Sequence, residues 1–116
     1  FEWEGQSYVL GRQSWMAGDH FLSVDDEVIA SATKESMFNR RFAVRLGPRE
    51  LQLVPGGIWS RRFDLIEDGQ AIGSIAPRHF LSRKALISLP AELAVPAQVF
   101  IFWLVVLMWR RAASNS

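Results

Sequence analysis

Three basic pairs, Arg40-Arg41, Arg61-Arg62 and Arg83-Lys84, recur along this chain at spacings of 21 and 22 residues. Side chains of this kind attract phosphate and carboxylate groups. A rim of them would meet anionic lipid headgroups at about 1 kcal/mol per basic residue near the surface. The plainer expectation is that neighbouring arginines in a strand point to opposite faces, one solvated and one paired with a carboxylate. All six residues are candidates for contact with a lipid headgroup.

Other reactive groups are sparse. Asp25-Asp26-Glu27 and Glu67-Asp68 offer hard oxygen ligands, but both fall where turns are expected, and Asp favours turns through local backbone hydrogen bonding. His20 and His79 are the only histidines. No Gly-x-Ser-x-Gly elbow is present, and Ser74 lies inside an expected strand. Pro55-Gly56-Gly57 reads as a turn rather than a phosphate-cradling loop. There is no cysteine, so disulfides, thiolate metal sites and a cysteine nucleophile are excluded. No catalytic residue, cofactor or metal is expected. The net charge of +1 and the lack of an RNP-like or helix-turn-helix pattern argue against nucleic acid, although Trp59 beside Arg61 could stack on a base or a headgroup. Trp3, Trp15, Trp103 and Trp109 complete the tryptophans.

The elements that must position these residues are mostly strands. Phe42, Val44 and Leu46 alternate with Ala43 and Arg45, the period of a half-buried strand. Gly47-Pro48 turns the chain, and Leu51-Gln52-Leu53 returns it. Phe63-Asp64-Leu65-Ile66, the hairpin signal Asp68-Gly69, and Ala71 to Ile75 repeat the theme. Tyr8 to Leu10, Phe21 to Val24, Val28 to Ala30 and Ala85 to Leu89 read as further strands, giving seven or eight. Phe21, Phe42 and Phe63 recur every 21 residues, and Ile29-Ala30-Ser31 resembles Ile72-Gly73-Ser74. A period of that size with two strands per unit describes an antiparallel meander of hairpins.

The chain then becomes apolar. Val99, Phe100, Ile101, Phe102, Trp103, Leu104, Val105, Val106, Leu107, Met108 and Trp109 form an unbroken run closed by Arg110 and Arg111. A helix built from them is apolar on every side and must be buried, in lipid or inside protein. Residues 93–109 would reach about 25 Å, short of a hydrocarbon core of about 30 Å. Arg110 and Arg111 match a positive-inside stop, which would put them on the cytoplasmic side of an anchor. Within a soluble domain, the same helix would cover the apolar face of a curled sheet. An eight-stranded closed barrel is filled by side chains alone, so enclosing a helix requires more strands or an open shell. The expected organisation is a hairpin meander over residues 1–89, a proline-led hydrophobic helix over 90–111 and a disordered tail at 112–116. The chain opens Phe1-Glu2-Trp3, without methionine or a signal pattern, as expected of a piece whose missing part lies N-terminal.

Hairpins of the form Phe-x-Leu/Val-x-Asp-Asp/Gly, with Phe63 to Ile75 the fullest example, are followed by Leu89-Pro90 and the apolar run. This pattern resembles the scramblase-like and LURP-one-related proteins of the tubby C-terminal-like superfamily. The resemblance covers residues 20–111 and implies a mainly β fold: an antiparallel meander or partial barrel wrapped around, or followed by, one hydrophobic C-terminal helix. It also implies a non-enzymatic, lipid- or membrane-associated binding module, since tubby-like domains bind phosphoinositides through basic barrel surfaces. The chain departs from the family in its shorter length. It lacks a cysteine-rich palmitoylation stretch and an acidic calcium loop, so calcium-triggered scrambling is not implied.

Two other readings stand beside it: a tail-anchored single-span protein with a soluble β domain, and a soluble interaction domain whose helix is its core. The expected partner is an anionic phospholipid or membrane surface, with no nucleic acid and no protein partner specified. The expected location is membrane-associated or cytoplasmic.

Overall fold

The computed structural model describes residues 1–12, 19–35, 41–57, 61–77 and 85–114. Nine strands run in chain order: β1 (Glu2–Trp3), β2 (Gln6–Arg12), β3 (Asp19–Val24), β4 (Glu27–Lys34), β5 (Phe42–Leu46), β6 (Arg49–Pro55), β7 (Phe63–Glu67), β8 (Gln70–Pro77) and β9 (Ala85–Ser88). One helix follows, α1 (Val95–Ser114). The strands form a single antiparallel sheet in the order β1 to β9, each paired with its neighbours in sequence, and the sheet is not closed. The expected mainly-β meander with a C-terminal helix is the architecture found.

The strand connections alternate in kind. β1–β2, β3–β4, β5–β6 and β7–β8 are joined by two-residue turns at one end of the sheet. Glu4 and Gly5, Asp25 and Asp26, and Asp68 and Gly69 all have positive φ, as a type I′ turn requires of both central residues. Gly47 (φ +60°) precedes Pro48, matching the glycine-first turn whose twist also suits a hairpin. The connections at the other end are longer.

Alternation selects one face of the sheet for burial. Tyr8, Leu22, Ala30, Ala32, Phe42, Val44, Leu46, Leu51, Leu53, Phe63, Leu65 and Ile75 join Phe100, Ile101, Leu104, Val105 and Met108 of α1 in one cluster. Strands from β2 to β8 contribute to the same buried cluster as the helix, so the sheet curls about a shared core. The helix residues in that cluster recur at i, i+4 and i+8, which makes one fully buried stripe. The rest of the apolar run, Val99, Phe102, Trp103, Val106, Leu107 and Trp109, is half-buried. An open shell is how so few strands accommodate a helix. Among the described residues, no helix is long and apolar enough to cross a membrane.

Two expectations need correcting. Among the described residues there are nine strands rather than seven or eight, because Glu2–Trp3 pairs with Gln6 and Ser7 across the Glu4-Gly5 turn. The repeat that aligned Phe21 with Phe42 and Phe63 is one residue out of register at Phe21. Phe42 and Phe63 are fully buried, whereas Phe21 lies on the outer face, opposite Gly11 and Ser31. A Cβ at Gly11 would come within 2.7 Å of the Phe21 ring, so glycine leaves room for it. His20 and Leu22 take the inward positions that Phe63 and Leu65 hold in β7. Matching register shifts between Leu22 and Ser23 and between Leu65 and Ile66 mark the same alignment.

Candidate functional site: the basic end of the sheet

An antiparallel meander brings the last residue of each even strand beside the first residue of the next odd strand. Arg12 ends β2 and lies opposite His20. Lys34 ends β4 and lies opposite Phe42, immediately after Arg41. Arg61 and Arg62 immediately precede β7. The C-terminal part of α1 reaches the same end, because Trp109 Nε1 donates to the Arg61 carbonyl over 2.7 Å and the Arg61 guanidinium lies 5.4 Å from the Trp109 ring centre. Arg110 and Arg111 follow directly, placing them at this end too. Every described lysine and arginine except Arg45 and Arg49 is therefore at the end with the long connections.

Acidic residues follow the opposite rule. Only Asp19, Glu35 and Asp64 lie at the basic end among the described residues. Glu4, Asp25, Asp26, Glu27 and Asp68 occupy the tight turns or their margins. Arg49 sits there as a counter-charge, forming a two-pronged pair with Glu67 (2.9 and 2.7 Å) and a longer contact to Glu92 (3.5 Å). The hydrogen bond from Arg49 holds the Glu67 carboxyl below the usual glutamate range, and the same bond raises the guanidinium. The α1 dipole runs the opposite way, with its positive N-terminus toward the acidic turns and its negative C-terminus among the cations, so each helix end meets complementary charge.

The six basic candidates separate as follows. Arg61 faces Trp109, while Arg62 Nε donates to Asp64 Oδ1 over 2.8 Å. Those neighbours thus diverge, one toward the helix and one toward a carboxylate. Arg41 is exposed, and its carbonyl accepts from Glu35 N. Arg40, Arg83 and Lys84 lie outside the described residues, as do Trp15, Trp59 and His79. Spacing alone did not single out Arg12 and Lys34, because each stands by itself at the end of an even strand. Arg110 and Arg111 were legible only as the close of the apolar run.

Beneath the cations, His20 is buried, with its ring edge-on to Phe42 and Trp103 at 5.5 and 5.4 Å. A cavity of about 310 Å³ opens above it, lined by Arg12, His20, Leu107, Met108, Arg110 and Arg111. Burial, and then the Arg111 charge, hold the Lys34 ammonium below the ordinary lysine range. Among the described residues, no group of three or more His, Asp or Glu side chains is placed to hold a metal ion. Ser74 sits within β8, opposite Asp64 and Ser88.

Fold and charge together define an open β-meander filled by one helix, with its cations gathered at the helix C-terminal end. Compared with models of known families, with characterised proteins and with solved structures, the chain has no match.

Proposed function

We propose that this chain is a non-enzymatic module that binds anionic membrane surfaces through the basic end of its sheet. The observation that carries the reading is the segregation of charge. A chain with a net charge of +1 gathers Arg12, Lys34, Arg41, Arg61, Arg62, Arg110 and Arg111 at one end, with few carboxylates among them. Connections 13–18, 36–40, 58–60 and 78–84 join the strands that meet there, and their sequences add basic residues and no acidic ones. Such a surface approaches anionic lipid end-on, with the acidic turns directed away. The likeness to scramblase-like and tubby-like domains points the same way. Residues 93–109 serve as the filling of the sheet in this reading, so the contact is peripheral.

Vesicle co-sedimentation tests it. Phosphatidylcholine vesicles containing phosphatidylserine should retain the chain at low salt and release it as ionic strength rises. Arg61→Gln together with Arg62→Gln should weaken retention about tenfold, less than two full headgroup contacts because Asp64 already shares Arg62. Equal retention of the double variant and the parent would remove this reading. A soluble interaction domain, with the helix simply as core, would then be favoured by the buried stripe of α1.

A further inference from the structure

We propose that the cavity between Arg12, Arg110 and Arg111 is a site for a terminal phosphate group, a phosphate monoester in its dianionic form. The inference deepens the membrane reading and rests on it for a lipid source of that group.

The geometry starts from strand alternation. Leu10 and Leu22 pair on the inward face, and two residues further along the same face come Arg12 and His20. A position that would hold core side chains deeper in the sheet thus holds a guanidinium at its mouth. Arg110 and Arg111 close the opposite wall from the helix, and Leu107, Met108 and His20 form the floor. Among the described residues, none that lines this space is a carboxylate. Lys34 is also in the inward phase, opposite buried Phe42, and is close enough to Arg111 to feel its charge.

Cations near a helix C-terminus have an ordinary explanation, because they complement the helix dipole. That accounts for Arg110 and Arg111. It does not account for Arg12 and Lys34, which come from two different strands and are brought toward the same charges. An anion seated in the cavity would meet Arg12, Arg110 and Arg111 together, with Lys34 beside Arg111. Guanidinium groups suit it, since each presents a planar fork of donors to phosphate oxygens.

Charge decides between phosphate types. A monoester carries close to two negative charges at neutral pH, its second pKa being about 6, whereas a diester carries one. A pocket of about 310 Å³ is at the small end for ligand sites, with room for a phosphate and its bridging waters rather than a whole lipid headgroup. Arg61 and Arg62 lie outside this pocket and meet diester and monoester surfaces alike.

The test compares vesicles carrying phosphatidic acid, a monoester, with vesicles carrying phosphatidylglycerol, a diester, matched in surface charge. Glycerol 3-phosphate, titrated against tryptophan fluorescence, tests the soluble source. The parent chain should prefer phosphatidic acid about tenfold. Arg12→Gln with Arg111→Gln, both exposed positions, should lower retention on phosphatidylglycerol somewhat and on phosphatidic acid further, so that the preference is lost. Arg61→Gln with Arg62→Gln should lower retention on both and keep the preference. Equal retention of the parent on both lipids, with no response to glycerol 3-phosphate, overturns the phosphate site and leaves the membrane reading intact. A saturable response to glycerol 3-phosphate that is lost in the Arg12/Arg111 variant, without vesicle retention, keeps the phosphate site and overturns the membrane reading.

Discussion

Replacing Leu104 by alanine tests the central packing claim directly. Leu104 is fully buried in the stripe of α1 that meets the sheet. The change removes three carbon atoms, about 2.4 kcal/mol at about 0.8 kcal/mol each. The space left behind adds to that, and buried Leu→Ala changes cost about 2.7–5 kcal/mol overall. A domain of this size has about 5–15 kcal/mol of stability in total, so this one change removes a large fraction of it. With a urea dependence of about 2 kcal/mol per molar, the unfolding midpoint should fall by about 1–2.5 M. Val106→Ala, on the half-buried side of the same helix, is the control and should cost about 1 kcal/mol or less. The assay is urea unfolding followed by the NMR amide signals of strand residues, so that sheet rather than helix is read. If Leu104→Ala shifts that transition no further than Val106→Ala does, the helix does not hold the sheet together.

Gly73→Ala should destabilise the β8–β9 edge by about 1–3 kcal/mol, since its Cβ would lie 2.5 Å from the Ser88 carbonyl oxygen; faster amide exchange in Ala85–Ser88 would show it. Glu67 is held below the ordinary glutamate range only in the folded chain. The stability it contributes is therefore complete above that range and lost as pH falls through the lowered value, so Glu67→Gln should flatten the acid limb of a pH–stability curve. Lys34 has the opposite sign: its folded value is lowered, so its charge opposes folding at neutral pH, less so as pH rises toward the lysine range. Lys34→Gln should raise the urea midpoint at pH 7, with a gain that shrinks in salt.

Much of the fold was legible because alternation and turn chemistry agree. Phe42 to Leu46 and Phe63 to Ile66 declare their buried faces, and Asp68-Gly69 declares its hairpin. β1 was not legible, since two residues cannot display a period and its pairing depends on the Glu4-Gly5 turn. The slip at Phe21 has a physical cause as well. A bulky aromatic residue is expected inside, but Gly11 opens a place for it outside, and Leu22 fills the core instead. The candidate site was half legible. Fixed spacing finds residues that come just before successive odd strands, such as Arg41 and Arg61. It passes over Arg12 and Lys34, which arrive at the same end from strands running the other way.

Separating cations from carboxylates along the strands also makes the molecule an electric dipole, which the oppositely directed helix dipole offsets only in part, at about half a unit charge per helix end. At a net charge of +1, isoelectric behaviour says little about how such a body moves near a charged wall. Torque acts before contact: in the field of an anionic surface the chain turns its long connections inward while still a Debye length away, about 10 Å at 0.1 M salt. Cation and anion exchangers should both hold it at low ionic strength, by opposite ends. A label on Asp25 would then stand away from a cation exchanger and against an anion exchanger.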